Sequence, residues 1–409
     1  MRVLCVPNEL PLPANAGGRI DVWRRLQVLH GMGVELALLS WYDAPRDGAP
    51  SPATLAQMHA LCPQLQLQPI QRSPLELLQR LRWLGRLPSH AAARWVTLDR
   101  PQVLAWARSF APDVLLLDGL YGAAVVRWLA GELGVPWLYR AHNLEHLYMR
   151  RQQASATGWR SRVGLAANLL GLRRLEHNTV RLANQVLDIS PADLLHWQAC
   201  GHRHVQWLPT VVDNEFVVGL QAAARQPPAW DIVYFGNLNT PNNVAAVRWL
   251  VQQVLPLLGR QPPTLLLAGS RPSDAVRALA ASSRRITLLA DPTAVPALAG
   301  AARVLVNPVQ NGSGVNLKSV EMLFSNAALV STPAGVRGLP AAAAACFEVH
   351  ATPAAFALAV QVALQRGAPD AAALAARCLA RAPFQPAAAA AVLRRALAQA
   401  TAAAVCAPA

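Results

Sequence analysis

Two rounds of short apolar runs separated by helix-like segments constrain the fold of this chain more than any other sequence feature. The first round has apolar runs at 3–7, 34–40, 113–117, 135–140 and 185–189. The last three are continuously apolar, which is typical of parallel strands buried on both faces. Segment 19–30, between the first two runs, is helix-like, and this β-α-β rhythm predicts a doubly wound α/β sheet.

A second round repeats the rhythm, with runs at 232–236, 264–268, 286–289, 304–307 and 328–331. We therefore expect two Rossmann-like doubly wound domains that face a central cleft, because ligands of such sheets bind at the carboxyl ends of the strands. The predicted boundaries are an N-terminal domain over 1–211, a linker over 212–229, a C-terminal domain over 230–384 and an Ala-rich helix over 385–409, which can cross back to the first domain.

Composition excludes two broad classes of protein. Hydrophobic residues make up 53% of the chain and charged residues 14%, and such an apolar chain is not predominantly disordered. No window of about 18 uncharged apolar residues occurs, so no membrane span is expected. The start of the sequence lacks the pattern of a signal peptide, and the six cysteines form no C-x-x-C pair. These features predict a cytoplasmic protein.

The net charge of +15 predicts an anionic partner, which could be nucleic acid, a membrane surface or a phosphate-bearing small molecule. A basic nucleic-acid-binding protein therefore remains an alternative, although the arginines are scattered and no basic recognition helix is evident. Lys318 is the only lysine among 37 basic residues, which makes its position informative.

The segment around Lys318 is the strongest candidate site. A predicted strand ends at Asn307, a glycine-rich turn follows, and a helix is expected to begin near Val315, so that backbone N–H groups converge where a phosphate can bind. Lys318 and Glu321 are three residues apart and share a helix face. The ammonium could neutralise a diphosphate, and the carboxylate could accept hydrogen bonds from ribose hydroxyls. The alternative is an ordinary surface ion pair, but the sole lysine lies beside the glycine turn, which favours a functional role.

Residues 313–323 with 330–333 resemble the nucleotide-sugar signature of family-4 retaining glycosyltransferases with the GT-B fold. Residues 232–244 are similar to the opening of the second domain in the bacterial polysaccharide-type members. Residues 140–146 and 188–190 resemble first-domain landmarks of the same family. The resemblance covers nearly the whole chain.

The resemblance implies a metal-independent hexosyltransferase without cofactor. It would move a sugar from a nucleotide diphosphate sugar, with retained configuration, to a glycan or lipid-linked acceptor in surface polysaccharide or glycoconjugate biosynthesis. The first domain would then be the acceptor side and the second the donor side. The catalytic residues it implies are His142, Lys318 and Glu321. The donor-binding residues it implies are Gly17, Gly18, Gly236, Asn237, Asn242, Gly312, Ser313, Gly314, Val315, Asn316 and Leu317.

This sequence departs from the family pattern at two places. Ser313 stands where the first of two acidic residues eight apart is usual, and Glu321 fills the second place. Asn237 and Asn242 replace the frequent Arg and Lys after the first donor-domain strand. Lys318 would then carry more of the phosphate charge.

Three of these candidate sites also have purely structural interpretations. A β-α loop explains the Asn-rich turn that contains Asn237 and Asn242, and close packing alone can require Gly17 and Gly18 before a helix expected to start near Ile20. His142 follows a predicted strand, where a histidine can be structural or can face a ligand. In the family, a histidine at this place contacts the sugar of the donor.

Two further patterns carry competing hypotheses. Residues 142–146 match H-x-x-E-H, a zinc-peptidase pattern that requires both histidines on one helical face; we expect Asn143 to cap a helix from Leu144, which leaves His142 outside it. Residues 72–86 form a basic amphipathic helix with leucines at 77, 78, 81 and 84. This stripe could pack against the sheet or lie on an anionic membrane surface at the inner face of the cell membrane.

Overall fold

A computed structural model describes residues 1–156, 158–311 and 314–405 of the chain. The chain divides into two compact units. The first unit comprises Met1–Ala14, Gly18–Pro209 and the final helix from Ala389, and the second comprises Asn15–Gly17 and Thr210–Ala388. Each unit is built on its own parallel sheet, so the prediction of two doubly wound α/β sheets is confirmed.

The first sheet has seven strands. They are β1 (Arg2–Pro7), β2 (Glu35–Asp43), β3 (Gln64–Ile70), β4 (Val114–Asp118), β5 (Trp137–Ala141), β6 (Gln185–Asp188) and β7 (Val205–Trp207). The helices of the same part of the chain are α1 (Gly17–Gly31), α2 (Ala44–Asp47), α3 (Pro52–Leu61), α4 (Pro74–Leu81), α5 (Ser89–Val96), α6 (Arg100–Phe110), α7 (Ala123–Leu133), α8 (Glu145–Ser155), α9 (Trp159–Leu169), α10 (Leu172–Leu182) and α11 (Pro191–Ala199). The strand order is β3-β2-β1-β4-β5-β6-β7, and all neighbouring pairs are parallel.

The second unit repeats this design with six strands. Its helices are α12 (Asn214–Ala223), α13 (Pro241–Trp249), α14 (Asp274–Ala281), α15 (Val295–Gly300), α16 (Leu317–Met322), α17 (Ala341–Ala344), α18 (Pro353–Arg366) and α19 (Ala371–Arg381), and α20 (Pro386–Val405) ends the described chain. Its strands are β8 (Trp230–Phe235), β9 (Leu265–Gly269), β10 (Ile286–Ala290), β11 (Ala302–Asn307), β12 (Ala328–Ser331) and β13 (Glu348–Val349). They pair in parallel in the order β10-β9-β8-β11-β12-β13.

Three strands that the sequence analysis did not predict, β3, β7 and β13, all lie at sheet edges. In β3 glutamines alternate with apolar residues over 64–68, because an edge strand has less of its surface buried and tolerates polar side chains. The strands β7 and β13 have only three and two residues. The apolar runs thus predicted the interior strands better than the edges.

The stretch 212–229, expected to be a linker, contains a packed helix. The side chains of Phe216 and Leu220 on α12 are buried, and Asp213 caps the helix by accepting a hydrogen bond from the Phe216 N–H at 2.7 Å. A Cβ at Gly300 would come within 2.4 Å of the Leu220 carbonyl oxygen, so α12 and α15 lie in close contact. The stretch between the two predicted domains therefore contains an ordered helix, which belongs to the second unit.

The Ala-rich final helix contributes to the first unit through one apolar stripe. Ala389, Leu393, Ala396, Leu397 and Ala400 are buried, and their spacing of three and four residues places them on one helix face. Small alanines let the helix approach closely while the two leucines fill space. From Ala389 on, the helix belongs to the first unit, as expected of a helix that crosses back.

The leucine stripe of α4 does not pack into a core. Leu75, Leu77, Leu78, Leu81 and Leu84 are between 47% and 65% exposed. On α9, Trp159 is 71% and Val163 60% exposed. Of the two possibilities for this stripe, packing against the sheet does not occur, because α4 turns its apolar side outward.

No described helix is long and apolar enough to cross a membrane. The five cysteines within the described residues are all unpaired thiols.

Shortening one side chain of the α20 stripe should destabilise the first unit. We expect Leu393→Ala to lower the free energy of unfolding by about 2–4 kcal/mol, because the buried leucine leaves a cavity. Urea denaturation followed by circular dichroism measures this value. The neighbouring Arg394 is exposed, so Arg394→Ala serves as the control and should change it by less than about 0.5 kcal/mol. Equal effects of the two substitutions would contradict this packing.

Candidate functional site

The carboxyl edge of the second sheet gathers the loops that follow β8, β11 and β12. Asn307, the last residue of β11, donates a side-chain hydrogen bond to Ser319 Oγ at 2.8 Å. Ser319 in turn donates to the Gly335 carbonyl at 2.7 Å. A Cβ at Gly335 would come within 2.9 Å of the Asn307 side chain, so only glycine fits there. These contacts fix the start of α16 over the strand ends.

Lys318 lies buried at this edge. Only 7% of the residue is exposed, and its Nζ lies 3.7 Å from the centroid of the Tyr234 ring, a favourable cation–π position. Among the described residues the amine has no hydrogen-bond partner. Burial lowers the pKa of Lys318 from its ordinary 10.5 to about 7, although the nearby Glu321 carboxylate opposes the shift.

Gly236 makes room for this lysine. A Cβ at Gly236 would lie 3.1 Å from Lys318 Cε and 3.3 Å from Nζ. The residue has φ of 149°, a conformation that favours glycine. Its backbone also lies against Gly269, where a Cβ would overlap the Gly236 carbonyl. The absence of a side chain at Gly236 is thus required by the position of Lys318 as well as by the backbone.

The Asn-rich turn supports the site through a residue that the sequence analysis missed. Tyr234 donates its hydroxyl hydrogen bond to Asn243 Oδ1 at 2.9 Å, and Asn243 donates to the Asn237 carbonyl at 2.8 Å. The predicted Asn242 is exposed. Tyr234 could have been found from strand alternation, because residues two apart in β8 face the same side as Gly236.

The structure describes only part of the predicted glycine turn. Gly312 and Ser313 lie outside the described residues. Gly314 has φ of 65°, and a Cβ at Gly338 would approach its carbonyl oxygen to 2.9 Å. The helix begins at Leu317 with Asn316 as its N-cap, two residues later than the predicted start near Val315. These three residues, Val315 to Leu317, are partly buried.

Gly17 and Gly18 are exposed at the start of α1. The helix begins at Gly17, so the expected start near Ile20 is too late. A Cβ at either glycine would meet no atom within 4 Å, and neither has positive φ. Packing within this structure therefore does not explain the glycine pair, which leaves an open approach at this helix start.

His142 follows β5 in the first unit and is held by a carboxylate. Its Nε2 lies 2.6 Å from Asp118 Oδ1, and Asp118 also accepts two hydrogen bonds from Arg25, each at 2.8 Å. The sequence analysis missed Asp118, although an acidic residue directly after a buried apolar run was a usable signal.

The zinc-peptidase hypothesis does not fit this geometry. His146 Nδ1 hydrogen-bonds the buried Glu176 carboxylate, whereas His142 pairs with Asp118. The helix begins at Glu145 with Leu144 as its cap, one residue later than predicted, and His142 lies outside it. Within the described residues no cluster of three or more His, Cys, Asp or Glu side chains could hold a metal ion.

Comparison with known proteins identifies the fold. No protein-family model matches the sequence. An uncharacterized 44.6 kDa protein in the cps region of Klebsiella pneumoniae is 21% identical over 358 residues, which span 82% of this chain and 84% of that protein.

Two solved structures match nearly the whole chain. Sucrose-phosphate synthase from Thermosynechococcus elongatus has a TM-score of 0.65 at 17% identity, covering 98% of this chain and 100% of its own. HepE from Anabaena, in complex with UDP and glucose, has a TM-score of 0.59 at 13% identity, covering 97% of this chain and 99% of its own. Both are similar to this chain in its two parallel-sheet units, and the chain has the GT-B fold.

The buried amine predicts a characteristic dependence of stability on pH. As pH falls from about 10.5 to about 7, the unfolded chain takes up a proton at Lys318 that the folded chain does not, so the free energy of unfolding decreases. We expect Lys318→Met to remove this loss. The variant should gain stability relative to the original protein as pH falls towards 7, by on the order of a few kcal/mol, and the gain should then level off.

Urea denaturation of the ligand-free proteins at about pH 6 and about pH 9 measures this difference. Lys318→Arg is the control: the guanidinium keeps its charge at both pH values, so it should destabilise the protein at both. A gain from Lys318→Met that is the same at both pH values would contradict the shifted pKa.

Proposed function

We propose that this protein is a retaining glycosyltransferase that moves a hexose from a nucleotide diphosphate sugar to a glycan or lipid-linked acceptor. The observation that carries the proposal is the buried Lys318 amine without a described hydrogen-bond partner, at the carboxyl edge of the second sheet of a GT-B fold. Ligands of such sheets bind at this edge. HepE, which has a similar fold, binds UDP and glucose.

A bound diphosphate would supply a negatively charged hydrogen-bond acceptor for the Lys318 amine. A buried ammonium without a partner is unfavourable, and an anion at hydrogen-bond distance restores the charged form of Lys318. Glu321 is also buried, one turn further along α16, and its carboxylate would accept hydrogen bonds from the ribose hydroxyls. Gly312, Ser313, Gly314, Val315, Asn316 and Leu317 would contribute the backbone around the phosphates, with Gly236, Asn237 and Asn242 on the β8 side.

The chemistry we propose is attack on the same face of the sugar from which the nucleotide leaves. The bond between the anomeric carbon and the β-phosphate oxygen breaks, the acceptor oxygen bonds to that carbon, and the acceptor proton passes to the departing phosphate. Negative charge grows on this phosphate in the transition state. The fixed ammonium of Lys318 would stabilise it without a metal ion.

We assign the remaining predicted residues by the family resemblance. His142 would contact the transferred sugar, and the open backbone at Gly17 and Gly18 would border the donor phosphates and the acceptor. The resemblance to polysaccharide-type enzymes, together with a relative in a cps region, supports surface polysaccharide or glycoconjugate biosynthesis as the pathway.

The nucleic-acid alternative rests on the net charge, and part of that charge is used internally. Arg25 and Arg140 are buried and contact Asp21, while Arg377 donates to the carbonyls of Ser325 and Ala327. These arginines hold the fold together and are not available to phosphates of a polymer. The glycosyltransferase is therefore the better supported function.

The exposed side of α4 supports contact with an anionic membrane, where a lipid-linked acceptor would lie. Its leucines are exposed, and the exposed Arg82 and Arg86 follow the helix in sequence. The one acid of the helix, Glu76, is satisfied locally, because it accepts hydrogen bonds from the Gln71 and Arg72 backbone and from Arg80. Segment 72–86, which contains four arginines and one glutamate, thus offers exposed apolar side chains together with net positive charge, the combination that binds anionic bilayers. We propose an association at the inner face of the cell membrane.

Donor binding tests the site directly. The melting temperature of the protein is measured with each member of a panel of nucleoside diphosphates and nucleotide sugars. We expect it to rise with the nucleotide that the site binds, because a ligand of the folded state stabilises that state. We expect Lys318→Ala and Glu321→Ala each to weaken binding by about tenfold to a hundredfold, the loss of a charge-assisted hydrogen bond. Calorimetry and a transfer assay measure affinity and turnover.

Glu348 is an exposed acid of the same unit, and Glu348→Ala is the matched control, which should bind normally. Folded Lys318 and Glu321 variants with unchanged affinity and turnover would disprove the site.

Vesicle binding tests the α4 surface. The protein should sediment with vesicles that contain phosphatidylglycerol and not with pure phosphatidylcholine, and added salt should release it. The double variant Leu77→Ser with Leu81→Ser should bind at least about tenfold more weakly, since two apolar contacts are lost. Leu379, 79% exposed on α19, provides the control Leu379→Ser. Equal binding by both variants, or a leucine-dependent dimer in place of vesicle binding, would refute the membrane assignment.

A further inference from the structure

A buried charged cluster lies at the carboxyl edge of the first sheet, where β4 ends at Asp118 and β5 is followed by His142. Asp118 pairs with Arg140 in the register of the two strands, so His142, two residues later, comes within reach of the Asp118 carboxylate. The two side chains meet at 2.6 Å, between Nε2 and Oδ1. They are 24 residues apart in sequence and are brought together only by strand pairing.

The carboxylate of Asp118 is held in its ionised form. Its two oxygens accept hydrogen bonds from Arg25 Nε and Nη2. Burial alone would raise the pKa of Asp118, but the Arg25 charge and the hydrogen bonds from His142 and Arg25 lower it below its ordinary value. An ionised carboxylate can only accept hydrogen bonds, so the proton between the two side chains belongs to His142 Nε2.

This assignment determines what the other ring nitrogen can do. In a neutral imidazole only one nitrogen carries hydrogen, and the partner of one nitrogen therefore sets the role of the other. With hydrogen on Nε2, the Nδ1 atom of His142 is a hydrogen-bond acceptor. The side chain is 20% exposed, so the ring is not sealed within the cluster.

We propose that Asp118 is a positioning residue that fixes His142 in the Nε2-protonated tautomer, so that Nδ1 accepts a hydrogen bond from a hydroxyl group of the transferred sugar. The inference rests on the proposed function, which supplies the sugar. It also names the chemistry that His142 recognises: a hydroxyl can donate to Nδ1, whereas an ionised phosphate or a carbonyl oxygen cannot. Arg25 acts one step further away by keeping the carboxylate charged and oriented.

The tautomer can be measured in the original protein. With ¹⁵N-labelled histidine, two-bond proton–nitrogen spectra distinguish a protonated from an unprotonated ring nitrogen. His142 is identified among the ten histidines by the signals lost in His142→Gln. We expect the neutral ring to carry its proton on Nε2. Protonation on Nδ1 would overturn the inference, whatever the activity of the enzyme.

Asp118→Asn tests the consequence for catalysis. The asparagine amide can keep its oxygen on Arg25 Nε and donate its N–H to His142 Nε2, which would move the histidine proton to Nδ1 and turn the acceptor into a donor. The amide nitrogen cannot accept the hydrogen bond that Arg25 Nη2 donates to Asp118 Oδ1. We expect kcat/KM for the nucleotide sugar to fall by roughly 100-fold or more, as a wrong histidine tautomer does elsewhere. Affinity for the nucleoside diphosphate alone should change by less than about threefold, since it lacks the transferred sugar.

Asp21→Asn is the matched control. Asp21 is another buried carboxylate on Arg25, at 2.9 Å from Nη2, so this variant reports the structural effect of removing an acid from the cluster. It should keep the Nε2 tautomer. Equal losses of kcat/KM in the two variants, or an unchanged tautomer in Asp118→Asn, would overturn the role of Asp118.

Failure of the proposed function would look different. If the His142 tautomer is as expected but the original protein transfers no sugar from any nucleotide sugar, then the glycosyltransferase assignment and the recognition of a sugar hydroxyl are both wrong. The hydrogen bond that sets the tautomer would stand in that case.

Discussion

Parallel pairing of neighbouring strands is the constraint on which the rest of this structure depends. A parallel pair requires a crossover that returns the chain to the opposite edge, so every strand-to-helix loop emerges at the carboxyl edge of its sheet. This brings Gly236 and Lys318 together although they are far apart in sequence, and it brings Asp118 to His142 in the same way. The strand order of each unit therefore decides which loops lie next to one another, and the side chains on those loops then decide the chemistry.

The two units differ in whether their buried charged groups have hydrogen-bond partners. In the first unit Asp118 is compensated by Arg25 and His142, so the cluster is satisfied without a ligand and its geometry is fixed in advance. In the second unit the Lys318 amine lies against the face of Tyr234 with no described hydrogen-bond partner. A satisfied network positions a group, whereas an unsatisfied one gains free energy when a ligand arrives. This difference fits a histidine that orients a substrate and a lysine that binds one.

The sequence predicted the interior strands, and also the strand before Lys318 and the helix that carries it, for physical reasons. A strand buried on both faces must be apolar throughout, and a single lysine in an arginine-rich chain is conspicuous. Strand alternation places Tyr234 on the same side of β8 as Gly236, but the sequence could not predict that the distant Lys318 packs its Nζ against the Tyr234 ring. The sequence left the surroundings of the α4 leucines open, because the same leucine stripe fits a core or an exposed surface. The prediction rested on continuously apolar runs and therefore missed the edge strand β3, whose alternation of glutamines with apolar residues over 64–68 is the pattern of a half-buried strand.

In a chain whose other basic residues are all arginine, the presence of a lysine at position 318 has a physical explanation. An arginine keeps its charge at any accessible pH, so a guanidinium buried without partners would remain an uncompensated ion. Burial lowers the pKa of Lys318 to about 7, so this lysine can release its proton near neutral pH and can regain it when an anion binds. A narrow ammonium also fits beside the bare backbone of Gly236, where a Cβ would already crowd Nζ at 3.3 Å. The empty site would therefore be partly neutral near pH 7 and would become fully charged when an anion binds, whereas an arginine would keep its charge in both states.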